Sequence, residues 1–171
     1  EEYNFGNLSD VSNTRYAYDV ASIDIDGDSD LDLRNKEVNQ VNGQLSRKFK
    51  TGKWKHRVGA SGMFGGLLNL DTKETGNRYA VDIHYAAKFK RFDIKAEIAH
   101  YKFNPKNKEG ERDDVIAMSA YGAPYVVSAI GNLYTAGVSY TIPIKNAQIR
   151  SLEVYNDFGY LDKMQEGFNA S

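Results

Sequence analysis

The chain predicts an all-β fold, an antiparallel β-barrel of the membrane-spanning kind. Three observations carry that expectation. Residues 77–104 read as two long strands joined by almost no loop. Tyr79, Val81, Ile83, Tyr85, Ala87 and Phe89 share one face, with Asp82, His84, Lys88 and Lys90 on the other, because side chains along a strand alternate sides. After a corner at Lys90 and Arg91, the apolar face resumes with Phe92, Ile94, Ala96 and Ile98, opposite Asp93, Lys95 and Glu97. These strands run to roughly a dozen residues, against ~5–6 in soluble sheets and the ~9–11 that a tilted strand needs to cross a bilayer. The connections alternate as well. Short corners fall at residues 51–53, 90–91 and 145–147, and longer polar stretches at 69–76 and 104–114, the asymmetry of an outer-membrane barrel.

Composition is compatible with this. The 171 residues make one domain, or a portion of a larger one. With 22 basic and 23 acidic side chains, the chain lacks the basic excess of a nucleic-acid binder. A mean hydropathy of -0.58 suits a barrel whose alternate residues face water. The 12 Tyr and 8 Phe can supply a core or the aromatic girdles at membrane interfaces. There is no cysteine, hence neither a disulfide framework nor a thiolate metal site.

In chain order, residues 1–14 are mostly polar and read as a loop or the tail of an earlier strand, followed by a strand over 16–25. The run Asp24-Ile25-Asp26-Gly27-Asp28-Ser29-Asp30-Leu31-Asp32 reads either as a turn or as a cation loop. Residues 38–49 alternate, with Val41, Gly43, Leu45 and Phe49 against Gln40, Asn42, Gln44, Ser46 and Lys48. Arg47 falls on the apolar side, an expected position near a membrane surface. Trp54, His56, Val58, Ala60, Gly62 and Phe64 form the next apolar face, with Lys55, Arg57 and Ser61 opposite. Residues 115–130 contain Gly122 and Pro124, which argue against one unbroken helix. They read equally as a loop folded against the inner wall or as a segment holding another wall strand. Tyr134, Ala136, Val138, Tyr140, Ile142 and Ile144 form a further apolar face. In residues 149–160, Leu152 and Val154 then alternate with Ser151, Glu153, Tyr155 and Asp157.

The phrases Gly122-Ala123-Pro124-Tyr125, Gly131-Asn132-Leu133-Tyr134-Thr135-Ala136-Gly137-Val138-Ser139-Tyr140-Thr141-Ile142-Pro143 and Ser151-Leu152-Glu153-Val154-Tyr155-Asn156-Asp157-Phe158-Gly159-Tyr160-Leu161-Asp162 resemble bacterial outer-membrane porins of the phosphate-selective porin O and P family. That resemblance covers roughly the last third of the chain. It implies a homotrimeric diffusion pore in a Gram-negative outer membrane, with one long loop folded into the lumen; residues 115–130 are the candidate for it. Such porins are longer and end on an aromatic residue, whereas this chain ends Gly167-Phe168-Asn169-Ala170-Ser171. The expectation is therefore a single barrel domain over 1–171 that is an incomplete portion of a larger barrel.

Candidate functional residues follow from the alternation. Lys48, Lys55, Arg57, Asp82, His84, Lys88, Asp93, Lys95, Glu97 and Glu153 would line a lumen, where low-dielectric walls focus the field of mixed charges on passing ions. Asp24, Asp26, Asp28 and Asp32 have the spacing of a calcium loop, since a hard cation gathers ~6–8 oxygens. The same residues supply ordinary turn chemistry. No other cofactor is expected. His56, His84 and His100 share no close ligand spacing, and no nucleophile-elbow pattern surrounds a serine. Glu97 and Asp93 share a strand face as glycosidase carboxylates do, yet any charged lumen does the same, so no enzyme is expected. The functional expectation is a porin passing ions, anions among them, or small hydrophilic solutes, with outer-membrane lipid as its partner. The alternative is a secreted calcium-binding β-sandwich or barrel that recognises a glycan or protein.

Overall fold

The structure is a computed structural model and describes residues 19–20, 22–23, 33–120, 123–144, 148–165 and 168. These form ten strands: β1 Asp19–Val20, β2 Ser22–Ile23, β3 Leu33–Thr51, β4 Trp54–Asn69, β5 Thr75–Phe89, β6 Phe92–Asn104, β7 Val115–Ala120, β8 Ala123–Ser128, β9 Ile130–Pro143 and β10 Ser151–Asp162. The fold is all-β, and every strand pairing is antiparallel. A large sheet runs β10-β9-β6-β5-β4-β3-β2 and a small one β1-β7-β8. The large sheet is open: its ends are β10 and β2, and β2 covers only the first two residues of β3. The sequence led to strands of a larger barrel; the described strands form an open wall and not a closed barrel, since no described strand pairs with the outer edge of β10.

The alternation drives the hairpins. Towards the turn, the apolar side chains of β5 meet apolar partners on β6, in the pairs Ile83 with Ile98, Tyr85 with Ala96, Ala87 with Ile94 and Phe89 with Phe92. The two tightest turns are Gly52-Lys53 and Lys90-Arg91. Both have positive φ at the first position, 59° at Gly52 and 53° at Lys90, the backbone hand that matches the twist of paired strands. Lys90 therefore sits in the turn and not on the polar face of β5. These turns mark one rim of the wall. The loops 70–74 and 105–114 lie at the other, knit by side chains. Asn107 Oδ1 accepts from Asn35 at 2.8 Å and from Asn69 at 3.0 Å. Asp71 pairs with Arg34 at 3.2 Å and with Lys108 at 3.3 Å.

Strand β3 begins earlier than the alternation suggested, and its register slips between Val38 and Val41. Two residues, Asn39 and Gln40, stand there against Gly65 alone, and Asn39 has φ 49°. Such a bulge reverses the parity of a strand. It puts Leu33, Asn35 and Glu37 on the same face as Asn42, Gln44 and Lys48. The expected strand over 16–25 is reduced to the short β1 and β2 among the described residues.

Of that segment, residues 115–120 and 123–128 are described as strands. They form a hairpin, β7 with β8, which joins β1 and contributes no strand to the large sheet. The hairpin packs on the polar side of the wall at the loop rim. Ile116 lies with Leu67, Val20 and Ala129 against Phe103 and Met118, while Val115 and Ala117 lie with Leu33 against Val126 and Phe168. Leu67 and Phe103 belong to the polar face by parity, so this small core sits on the inner side of the sheet. Burying Ile116 and Leu67, both 0 % exposed, contributes about 1.5–3 kcal/mol each.

Candidate functional site

The large sheet has two chemically opposite faces. On one, Leu45, Ala60, Ile83, Ile98 and Tyr134 follow one another across β3, β4, β5, β6 and β9. Leu45 is 81 %, Ile83 66 % and Phe158 62 % exposed. The face is a continuous apolar surface over six strands, with nothing described against it. Val81, Ile83, Val138 and Ile142 are exposed on it as well. Rings border it on both sides. Towards the turns, Trp54 stacks on Phe89 at 4.9 Å and Phe92 meets Tyr140 at 4.6 Å. Towards the loops, Tyr79 meets His100 at 5.9 Å and Tyr134 stacks with Tyr160 at 6.3 Å. Arg47 and Asn156 interrupt the surface, on the rows of Val58 and Val138.

The opposite face is polar, and all the charged candidates lie on it: Lys48, Lys55, Arg57, Asp82, His84, Lys88, Asp93, Lys95, Glu97 and Glu153 share one parity through the register. A cavity of 730 Å³ touches Gln44, Arg57, Asp82, Glu97, Thr135 and Asp157. Its lining comes from six strands, so the wall curls around its polar side. Gln44, Ser61, Thr135 and Asp157 belong to this surface with the charged candidates. Small residues make room for the large ones there. A Cβ at Gly59 would collide with the His84 ring, and one at Gly131 would lie 2.8 Å from the Tyr101 ring.

Charge is unevenly spread over this face. Lys48 stands opposite Arg57, and Lys50 opposite Lys55, which in turn faces Lys88. Like charges directly across strands are mutually repulsive, so this corner holds a positive potential; a second cavity, of 420 Å³, lies within it. Lys88 is 3.8 Å from Asp93. Carboxylates dominate further along, with Glu97 on β6 and Glu153 and Asp157 on β10. In the middle, Ser61 Oγ donates to Asp82, and His84 Nδ1 lies 2.8 Å from the other Asp82 oxygen. The serine thus bonds to the carboxylate and not to the imidazole, so the serine–histidine contact of a nucleophilic serine is not made here.

Nearer the loops, Arg78 donates to Glu37, and to Gln40 at 2.5 Å. Sequence reasoning missed this group because the bulge brings Glu37 and Gln40 to one side. At the loop rim, Arg112 grips Asp114 through two hydrogen bonds of 2.8 Å. The guanidinium holds the Asp114 carboxyl below the usual carboxylate range. Asp24, Asp26, Asp28 and Asp32 lie outside the described residues. Among the described residues, no three His, Asp or Glu side chains converge as a metal site. No protein family, curated protein or solved structure matches the chain.

Proposed function

We propose that the chain forms wall strands of a porin-type β-barrel in a Gram-negative outer membrane. The barrel passes ions or small hydrophilic solutes by passive diffusion along the polar face. The observation that carries this reading is the exposed apolar surface across six strands, bordered by two rows of aromatic rings and backed by a charged concave face. A soluble sheet covers such a surface, since contiguous exposed apolar patches beyond a few hundred Å² are rare on monomers. Lipid supplies the cover in a membrane barrel. The dimensions agree: from Tyr79 to Phe89 the strand rises about 33 Å, which at a tilt of about 40° spans about 25 Å, the height of an outer-membrane apolar band.

In this reading, lipid tails meet Leu45, Ile83 and Ile98, and water meets Arg57, Asp82 and Glu97. The hairpin of β7 and β8 occupies the polar side at the loop rim and narrows the passage there. Lys48, Lys55, Arg57 and Lys88 draw anions towards the turn rim. A homotrimer is the assembly that the resemblance to the phosphate-selective porins implies.

The test is physical. The purified protein whose wall these strands form should require detergent micelles and then conduct ions in a planar bilayer. A reversal potential measured under a salt gradient reports the preferred sign of charge. Monodisperse behaviour in plain buffer with no conductance would sink the pore and favour the secreted calcium-binding alternative.

A further inference from the structure

The two rims differ in charge. The tight turns carry Lys53, Lys90 and Arg91 and no acid, and no carboxylate among the described residues pairs with them. In the long loops, Asp71, Glu74, Glu109, Glu111, Asp113 and Asp114 outnumber the cations. The two turns lie at the ends of adjacent hairpins, β3–β4 and β5–β6. Directly beneath them, on the apolar face, Trp54 stacks on Phe89 at 4.9 Å. Lys90 Nζ sits 5.4 Å from the centre of the Phe89 ring. Exposed cations therefore crown an outward-facing aromatic row, on the side away from the polar cavity.

We propose that this rim is a binding site for anionic phospholipid headgroups. Lys53, Lys90 and Arg91 take the lipid phosphate, while the Trp54 and Phe89 rings lie at the level of the glycerol backbone. The chemistry is general. Cations at a membrane surface draw anionic lipid over distances of a Debye length, and Trp prefers the headgroup level. A free anion would be drawn equally to charge, but it has no use for an aromatic row facing outward, so the lipid is the favoured occupant. The inference rests on the membrane reading above. It goes beyond it by assigning the turn rim to the leaflet richer in anionic phospholipid.

Trp54 is the single tryptophan, so its emission reports this rim directly. The chain is reconstituted into vesicles mixing phosphatidylcholine with phosphatidylglycerol, with a brominated acyl-chain quencher carried by one lipid or the other at matched density. Quenching should be severalfold stronger when the phosphatidylglycerol carries the bromine. The excess should vanish in the K53Q/K90Q/R91Q variant and shrink in high salt, while a K73Q/K106Q variant of the opposite rim keeps it. Equal quenching by the two lipids in the unmodified chain, or an excess that survives the triple substitution, overturns the site. Insertion is read separately, as protease protection in pure phosphatidylcholine vesicles. Protection with equal quenching removes the lipid site and leaves the pore standing; absence of protection in every vesicle removes both. Inorganic phosphate added to the detergent-held protein should leave Trp54 emission unchanged, and a saturable response would reassign the rim to a free anion and overturn the lipid assignment.

Discussion

A glycine on the polar face marks where a larger neighbour must lie flat. Gly59 stands across from His84, whose ring occupies the space that a Cβ would take. His84 is held there by its 2.8 Å contact with Asp82, so it is not free to swing away. Gly59→Val should therefore destabilise the wall by about 1–3 kcal/mol, the usual cost of overpacking, read as a lower urea midpoint in detergent. The companion variant His84→Ala in the Gly59→Val background should recover part of the loss, because the two side chains compete for one volume. Asp114 makes a different residue-scale case. Arg112 lowers its folded-state carboxyl below the ordinary value. Its stabilising contribution is thus present above that ordinary value and is lost as pH falls through the lowered one. The pair is solvent-exposed, so the effect is small and screened by salt. Asp114→Asn should flatten the acid limb of the stability profile without altering the midpoint at high salt, where the pair is screened.

At the scale of elements, the long strands and their tight turns were legible, because a period of two sustained over a dozen residues fits a half-covered strand and does not fit a helix. Two features were not. The bulge at Asn39 and Gln40 adds one residue without changing composition, and its only trace is the spacing of three between Val38 and Val41. The destination of the β7–β8 hairpin was equally hidden. Its signal lay elsewhere, in Leu67 and Phe103, apolar residues on the polar side of their strands that demand a cover. The charged candidates were legible as a face, whereas the Glu37, Gln40 and Arg78 group depended on the bulge. If the hairpin narrows a pore, replacing residues 113–128 by a short Gly-Ser link should raise single-channel conductance in a planar bilayer. Ile116→Asp should do so partially, since a carboxylate cannot stay in the cluster with Leu67 and Ala129. Unchanged conductance in both would place the passage away from the hairpin.

For the whole molecule, the open edges decide what the wall can be. Beyond Arg34, the outer edge of β3 has no described partner, and β10 has none on the side away from β9. Water can satisfy those amides and carbonyls; lipid cannot, and each group left alone in hydrocarbon costs several kcal/mol. A membrane wall must therefore close through further strands. Because β3 runs towards the turn rim and β10 away from it, antiparallel pairing of β10 with an edge directed like β3 continues the alternation. Hydrogen exchange tests this directly. In bilayers, the outward amides along β10 should be protected as strongly as those paired to β9, whereas in detergent, with the edge open, alternate β10 amides should exchange much faster. The central strands β5 and β6 should be protected in both media, because both their edges are paired. Fast exchange along β10 in bilayers would mean that this edge meets water, and the exposed apolar face would then need a protein and not a lipid to cover it.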